Sequence, residues 1–202
     1  MRFNALSVSV SIAFAVSGLA ADDKSTFLAK PVSEYAHKMT SEKVTIAVEA
    51  VITDDQAKDA FGKVNPWRYG VLPVLVVIQN DTGAALRVDR AQFVYVLPDR
   101  SKVESIPAAD VRFLQGPKQP QRLPGSAPPI KITKSKGTPL SAWEIEGRAF
   151  AAKMIPPGQS ASGFVYFQAP TTSDAASLYI SGLTNAMTGA ELYYFDIPMS
   201  GK

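Results

Sequence analysis

Residues 71–80 are Val71-Leu72-Pro73-Val74-Leu75-Val76-Val77-Ile78-Gln79-Asn80, a run of apolar and largely β-branched side chains. The run is too short to span a membrane, and the turn signal Asn80-Asp81-Thr82-Gly83 closes it. Such a segment is typical of a central strand that is buried on both faces. A second strand is predicted directly after the turn, over residues 85–89, so the two are expected to form a hairpin.

Working outward from this strand, the pattern is mainly that of short strands separated by turns. Residues 43–50 alternate, with Val44, Ile46 and Val48 pointing to one side and Lys43 and Thr45 to the other. Further strands are predicted over residues 92–97, 102–106, 160–167, 178–180 and 191–197. About eight short strands with Gly and Pro turns favour an antiparallel β-sandwich.

Two short helical excursions interrupt the strands. Thr53 and Gln56 form a capping-box pattern, the apolar residues that follow share one helical face, and Gly62 ends the segment. A second capping box, Ser141 to Glu144, predicts a helix over about residues 142–154. The alternation of residues 143–146 leaves a strand open there, and one or two helical turns are expected over residues 108–114.

Three phrases of the sequence carry a resemblance. They are Ala60-Phe61-Gly62 with the segment 70–80, Pro156-Pro157-Gly158-Gln159-Ser160 with the segment 163–167, and the closing pair of strands. Together they resemble small exported bacterial proteins with an immunoglobulin-like β-sandwich, many of unknown function. The resemblance implies this fold, a bacterial origin and, with the leader described next, an envelope location. It implies no functional residues.

The beginning of the chain has the pattern of a signal peptide. Arg2 precedes an apolar run over residues 6–16, and Gly18-Leu19-Ala20 supplies small residues at a cleavage site. We expect residues 1–20 to be removed, residues 21–41 to be a flexible lead-in and residues 42–198 to form one sandwich domain. A membrane anchor is the alternative, but the apolar run falls short of the roughly 20 residues that spanning requires. The protein is therefore expected to be exported, to the periplasm or the outside of the cell.

Composition excludes several classes of site. The 202 residues contain no cysteine, which removes disulfides, thiolate metal sites and thiol nucleophiles. There is a single histidine, His37, so a pair of histidines cannot bind a metal, and a Ser-His-Asp triad would have to use His37. The formal net charge is +3, or +2 without Arg2, so the global charge does not suggest a nucleic-acid partner.

A basic, proline-rich segment is the feature that folding does not explain. Residues 111–143 contain six basic residues, six prolines and no acidic residue, and we interpret residues 116–139 as a long extended loop. The predicted contact residues for an anionic partner are Lys118, Arg122, Lys131, Lys134 and Lys136. That partner could be a phospholipid surface, an acidic envelope polymer or an acidic face of another protein. The alternative is a solvated loop that its lysines keep soluble.

Other candidate chemistry has an ordinary structural alternative. His37 and Met39 are ligand types that copper sites use, yet a single His is commonly a surface residue and Met a core filler. Asn80-Asp81-Thr82 matches a glycosylation motif but also an ordinary turn. Trp67, Tyr69 and Trp143 could stack on a ligand or could pack in the fold, and the acidic clusters form no convincing catalytic pair.

These observations predict a non-enzymatic binding or accessory module of the bacterial cell envelope that needs no cofactor. The alternatives are a secreted hydrolase and a copper-binding periplasmic protein. A deep pocket with convergent polar groups would favour an enzyme, and a protruding loop or flat face would favour binding.

Overall fold

The computed structural model describes residues 27–114, 138–169 and 175–199. The chain is mainly β, and the described strands form three antiparallel sheets. The strands are β1 (His37–Ser41), β2 (Val44–Ala50), β3 (Leu72–Asn80), β4 (Leu86–Arg87), β5 (Gln92–Val96), β6 (Lys102–Glu104), β7 (Met154–Ile155), β8 (Ser160–Phe167), β9 (Ser177–Ser181), β10 (Thr184–Asn185) and β11 (Phe195–Pro198). The helices are α1 (Asp54–Phe61), α2 (Ala108–Val111) and α3 (Trp143–Gly147).

The strand β3 lies inside the first sheet, whose order is β1-β2-β3-β8. Along its nine residues every side chain except Gln79 is buried, as the apolar run predicts. Pro73 has no N–H to donate, and the ladder with β2 stops beside it, with the pair Ala50 and Val74 as its last. Pairing with β8 continues to Leu72, and on the β2 side the Val51 N–H still donates to the Pro73 carbonyl oxygen at 2.9 Å, so the proline removes only its own donor from the ladder.

The two faces of β3 belong to two separate hydrophobic cores. Val74, Val76 and Ile78 face the second sheet, β11-β9-β5-β6, and share a core with residues of that sheet such as Leu178 and Phe195. The alternate side chains of β3 face a layer of helices instead. The first sheet is therefore the middle layer of three.

The helical layer covers the outer face of the first sheet. Ala57, Ala60 and Phe61 of α1 are buried against it, and the ring centroids of Phe61 and Phe164 are 4.7 Å apart. The predicted capping box is present, because the Thr53 hydroxyl accepts from the Gln56 backbone and the Gln56 side chain accepts from the Thr53 N–H.

Tyr166 ties α3 to the same sheet. Its hydroxyl donates a 2.7 Å hydrogen bond to the carbonyl oxygen of Ile145. Burial raises the pKa of the Tyr166 phenol well above its ordinary value, because the charged phenolate would lose its hydration there. The hydroxyl thus stays a donor, and the buried carbonyl has its partner.

The predicted hairpin after β3 does not form. β4 pairs with β7 and β10 in a small third sheet, and the turn between β3 and β4 carries the chain out of the first sheet. The hairpin prediction was wrong because strands as short as β7 and β10 give no sequence signal, and they hold β4 through long-range pairs.

Asn80 at the end of β3 is fully buried and acts as a structural junction. Its Nδ2 donates to the carbonyl oxygens of Ala84 and Ile155, each at 2.9 Å. Its Oδ1 accepts from the backbone N–H and the hydroxyl of Thr82. The turn interpretation of this residue is confirmed, since a side chain buried in this way offers no room for a glycan.

The predicted helix over residues 142–154 is too long. α3 ends at Gly147, and the chain then runs beside β8, where the Phe150 N–H donates to Phe164 O at 2.9 Å. The second capping box is also absent: Ala142 precedes α3, and the Ser141 hydroxyl bonds to that of Thr138.

The strand predicted over residues 191–197 is shorter and begins at Phe195, as β11.

The prediction of a flexible lead-in also differs from the structure, because residues 37–41 form β1, which pairs with β2 over its whole length. The strands predicted over residues 92–97 and 102–106 form as β5 and a shorter β6, and they pair with each other antiparallel. Among the described residues, no helix has the length and apolar character needed to cross a bilayer.

Candidate functional site

Two neighbouring grooves open on the helical layer, and the same two lysines line both. The larger groove, about 680 Å³, lies between α1 and α3, and its wall includes Phe61 and Trp143. The smaller one, about 350 Å³, is lined by Arg68 and Tyr69 among others. We call Lys58 and Lys63, which border both grooves, the lysine ridge.

The local sequence explains where the ridge stands. The apolar face of α1 is turned to the sheet, so Lys58 is on the exposed face of the helix. Gly62 ends α1 with a positive φ of 68°, which a side chain would strain, and the chain turns there before Lys63. Neither lysine forms an ion pair within the described part of the chain.

Arg148 joins the two sides of the larger groove. Its Nη1 donates to the carbonyl oxygens of Asp59 and Ala60 in the last turn of α1, which otherwise lack helical partners. Its guanidinium carbon also lies 5.8 Å from the Trp143 ring centroid and 5.7 Å from that of Phe27. The arginine therefore fixes α1, α3 and the first described residue relative to one another.

Trp143 lies across the surface of its own helix. A Cβ built on Gly147 would come within 2.8 Å of the Trp143 ring, so the glycine makes space for the indole. The Trp143 side chain remains 53% exposed. An aromatic face beside the lysine ridge is thus a built feature of this layer.

The basic segment begins and ends on this same layer. The Thr138 hydroxyl donates to the carbonyl oxygen of Arg112 at 3.2 Å, so the two flanks of residues 115–137 meet. Arg112 also forms an ion pair with Glu146 of α3. Pro139 lines the smaller groove, which places one flank beside the lysine ridge. The predicted contact residues Lys118, Arg122, Lys131, Lys134 and Lys136 lie outside the described residues.

His37 and Met39, the copper candidates, have different surroundings. Both lie on one face of β1, opposite Val48 and Ile46 in the register. Met39 packs against the core between the two larger sheets, which fits the core-filler alternative. His37 lines a cleft of about 470 Å³ together with Met199.

The polar groups of that cleft are engaged in the fold. The Tyr35 hydroxyl accepts from the Lys30 N–H at 2.9 Å, and burial raises the pKa of Tyr35. The Gln56 side-chain Nε2 donates a hydrogen bond of 3.4 Å to Oε1 of Glu49. Within residues 27–114, 138–169 and 175–199, no three His, Asp or Glu side chains converge in a way that could hold a metal ion.

The remaining candidates divide between packing and the grooves. Trp67 is half-buried and packs against the core between the sheets, Tyr69 packs against the core under the helices and lines the smaller groove, and Trp143 lines the larger groove. Asp54, the acidic residue that begins α1, accepts from Asn65 and Arg68, and these two hydrogen bonds lower the pKa of its carboxyl group. It serves the fold as a helix-start residue.

Sequence reasoning missed the lysine ridge and the exposed ring of Phe113. The confirmed capping box of α1 was the available signal for the ridge, because fixing the start of the helix also fixes which face carries Lys58. Phe113 is 72% exposed directly after α2, and nothing in its local pattern separates it from a core residue.

No protein-family profile matches the chain, and no curated protein sequence matches it either. Solved structures give remote similarity. The secreted protein MPT63 of Mycobacterium tuberculosis aligns with a TM-score of 0.31 and 14% identity, over 79% of this chain and 89% of that chain. A functionally unknown protein from Listeria monocytogenes EGD-e aligns with a TM-score of 0.35 and 11% identity, over 82% of each chain. TM-scores of this size leave a common fold unestablished.

Proposed function

We propose that this protein is a non-enzymatic binding module of the bacterial cell envelope that holds an anionic component on its helical layer. The observation that carries the proposal is the junction of Thr138 with Arg112, which brings the two flanks of the basic segment together, with Pro139 of one flank beside the lysine ridge. Five cationic side chains of the segment and the two lysines would then act on one partner.

We also propose an immunoglobulin-like fold and an exported location for this module. The two four-stranded sheets that share one core support an immunoglobulin-like sandwich, and the helical layer is an addition to it. We propose residues 1–20 as a signal peptide for export and one domain that extends to residue 198, with its beginning moved forward from residue 42 to include β1.

The test is a variant with Lys118, Arg122, Lys131, Lys134 and Lys136 all changed to Gln. We expect wild type to be retained on envelope fractions and on immobilised polyphosphate at low salt, and the variant to lose both. Retention of wild type should fall steeply with salt, because the screening length shrinks from about 10 Å at 0.1 M to about 3 Å at 1 M. The melting temperature should stay nearly unchanged, since the substitutions leave the residues of both described hydrophobic cores intact.

A matched control removes the same charge elsewhere. Five exposed basic residues outside the helical layer are suitable: Lys43, Arg90, Arg100, Lys102 and Lys153. Changing these to Gln should leave most of the retention intact. If the two variants lost retention equally, only net charge would matter, and the proposed contact surface would be wrong.

Two other functions remain as alternatives, each with its own observation. His37 lies in a cleft with Tyr35 and Glu49, so a hydrolase screen with a His37→Ala control addresses an enzyme. His37 and Met199 line that cleft together, so copper titration of the same variant addresses a copper site. Turnover or copper binding that His37→Ala abolishes would replace the binding proposal.

A further inference from the structure

One strand edge of the first sheet opens into the cleft of about 470 Å³ that His37 lines. β2 runs from Val44 to Ala50, but β1 pairs with it only as far as the pair His37 and Val48. On its other edge, β2 stays paired with β3 up to Ala50. The end of β2 therefore has a strand on one side and the cleft on the other, whose lining includes Val48, Glu49 and Ala50.

The hydrogen-bond register shows which backbone groups of β2 face the cleft. In an antiparallel sheet, the N–H and C=O groups of successive residues point alternately to the two neighbouring strands. The Val51 N–H donates to the Pro73 carbonyl oxygen at 2.9 Å, so the odd-numbered residues bond to β3. The two-residue turn over residues 42–43 closes on Val44, so the even-numbered residues bond to β1. Ala50 therefore directs its N–H and C=O away from β3 and towards the cleft.

The backbone groups of Ala50 have no partner in the described parts of the chain. Its partner in the register would be Tyr35, yet β1 begins only at His37, and Tyr35 belongs to the core under the helices. No hydrogen bond joins the Ala50 N–H or C=O to another group of residues 27–114, 138–169 and 175–199. A donor and an acceptor on one strand residue match one residue of an extended peptide, which can exchange two hydrogen bonds with it.

The surroundings of Ala50 also select the side chain of such a residue. Directly opposed residues of two paired strands project their side chains to the same face of the sheet. Ala50 packs against the core between the sheets, and on that face Val48 and Met199 line the cleft. The opposed residue would place its side chain against these apolar groups. The cleft volume of about 470 Å³ is within the range of small-ligand pockets, about 300–1,000 Å³.

We propose that this cleft binds a short extended peptide segment of a partner protein, with one apolar residue of the peptide paired to Ala50. Main-chain pairing sets the orientation of the peptide, and the apolar side chain sets its selectivity. The site is distinct from the one of the proposed function, because no residue that lines either groove of the helical layer lines this cleft.

The probe is the blocked tripeptide acetyl-Gly-Leu-Gly-amide, titrated at millimolar concentrations into isotope-labelled protein. The amide signal of Ala50 in proton–nitrogen correlation spectra should shift, because its N–H gains an acceptor. An analogue with N-methylleucine has no N–H for the Ala50 carbonyl and should bind about fivefold more weakly or worse, as expected for one lost hydrogen bond. Acetyl-Gly-Asp-Gly-amide should also bind more weakly, since its carboxylate would face the apolar wall.

The variant Ala36→Trp fills the cleft from an exposed position and should abolish the shift of the Ala50 signal. Ser33→Trp is the matched control, because Ser33 is exposed in the same segment and does not line the cleft, so it should bind the tripeptide like wild type. Polyphosphate retention should be the same in both variants. The proposal is overturned if the tripeptide leaves the Ala50 signal unshifted, if the N-methylated analogue binds equally well, or if the two variants bind alike.

Discussion

Asn80 connects three segments of the chain through one amide group. Its contacts reach Thr82 and Ala84 in the following turn and Ile155 in β7. Its place in a turn could be predicted from the sequence, because Asn followed by Asp, Thr and Gly is a turn signal. The bond to Ile155 could not, since it depends on a partner far away in the chain.

We expect Asn80→Ala to lower the free energy of unfolding by about 2–3 kcal/mol, because two buried carbonyl oxygens lose their donor. Urea denaturation followed by circular dichroism measures this. Gln92→Ala is a suitable control, since that amide is exposed on β5, and its effect should stay within about 0.5 kcal/mol. Equal stability of the two variants would contradict the junction role of Asn80.

At the scale of elements, β8 shows how tertiary pairing overrides a local pattern. The segment after α3 has helical spacing of apolar residues, yet Phe150 bonds to Phe164 and the Phe164 N–H donates to Arg148 O at 2.8 Å. Strong local signals, such as the apolar run of β3 and the capping box of α1, were sufficient for prediction. The path of residues 148–150 was not predictable, because it is set by a close approach to β8 at Gly163.

Gly163→Ala should destabilise the fold by about 1–3 kcal/mol. A Cβ at this position would lie 2.4 Å from the Phe150 Cα, so one backbone segment would have to move. Gly83→Ala is the matched control, because nothing lies within 4 Å of a Cβ there and its φ is not positive. Thermal melts of the two variants would contradict the close approach if Gly163→Ala melted at or above the temperature of Gly83→Ala.

For the whole molecule, β3 couples the helical layer to the pair of sheets. One face of β3 contributes side chains to each of the two cores. The strand therefore cannot detach from one core while the other remains intact. Burial of β3 on both faces was predictable from its sequence. The identity of the covering layer was not, because an apolar run does not distinguish helices from a second sheet.

The chain's two tryptophans allow a test of this coupling. Trp67 packs against the core between the sheets, and Trp143 lies in the helical layer. The variant Trp143→Phe leaves Trp67 as the fluorescent probe, and Trp67→Phe leaves Trp143. In each variant we expect the urea transition seen by fluorescence to coincide with global unfolding seen by circular dichroism of the same variant. A transition of Trp143 that precedes the loss of β-sheet signal would show that the helical layer unfolds independently.

The sequence predicted only the part of the candidate site that depends on local composition. The composition of residues 111–143 predicted a basic segment, because charge and proline content are local properties. The lysine ridge, Phe113 and the exposed face of Trp143 required the packing of α1, α2 and α3 on one sheet face. Sequence spacing alone cannot bring residues 58 and 143 to one groove.

The bond between the Thr138 hydroxyl and the Arg112 carbonyl has a consequence for how such a protein can diverge. Where an inserted segment leaves and re-enters a scaffold at one point, changes in its length cost little, about 0.6 kcal/mol for each doubling. The length and sequence of residues 115–137 can therefore change without a new scaffold. Such a protein can accept a different segment at this position while every strand keeps its register, and an engineer can graft a foreign epitope there by the same route.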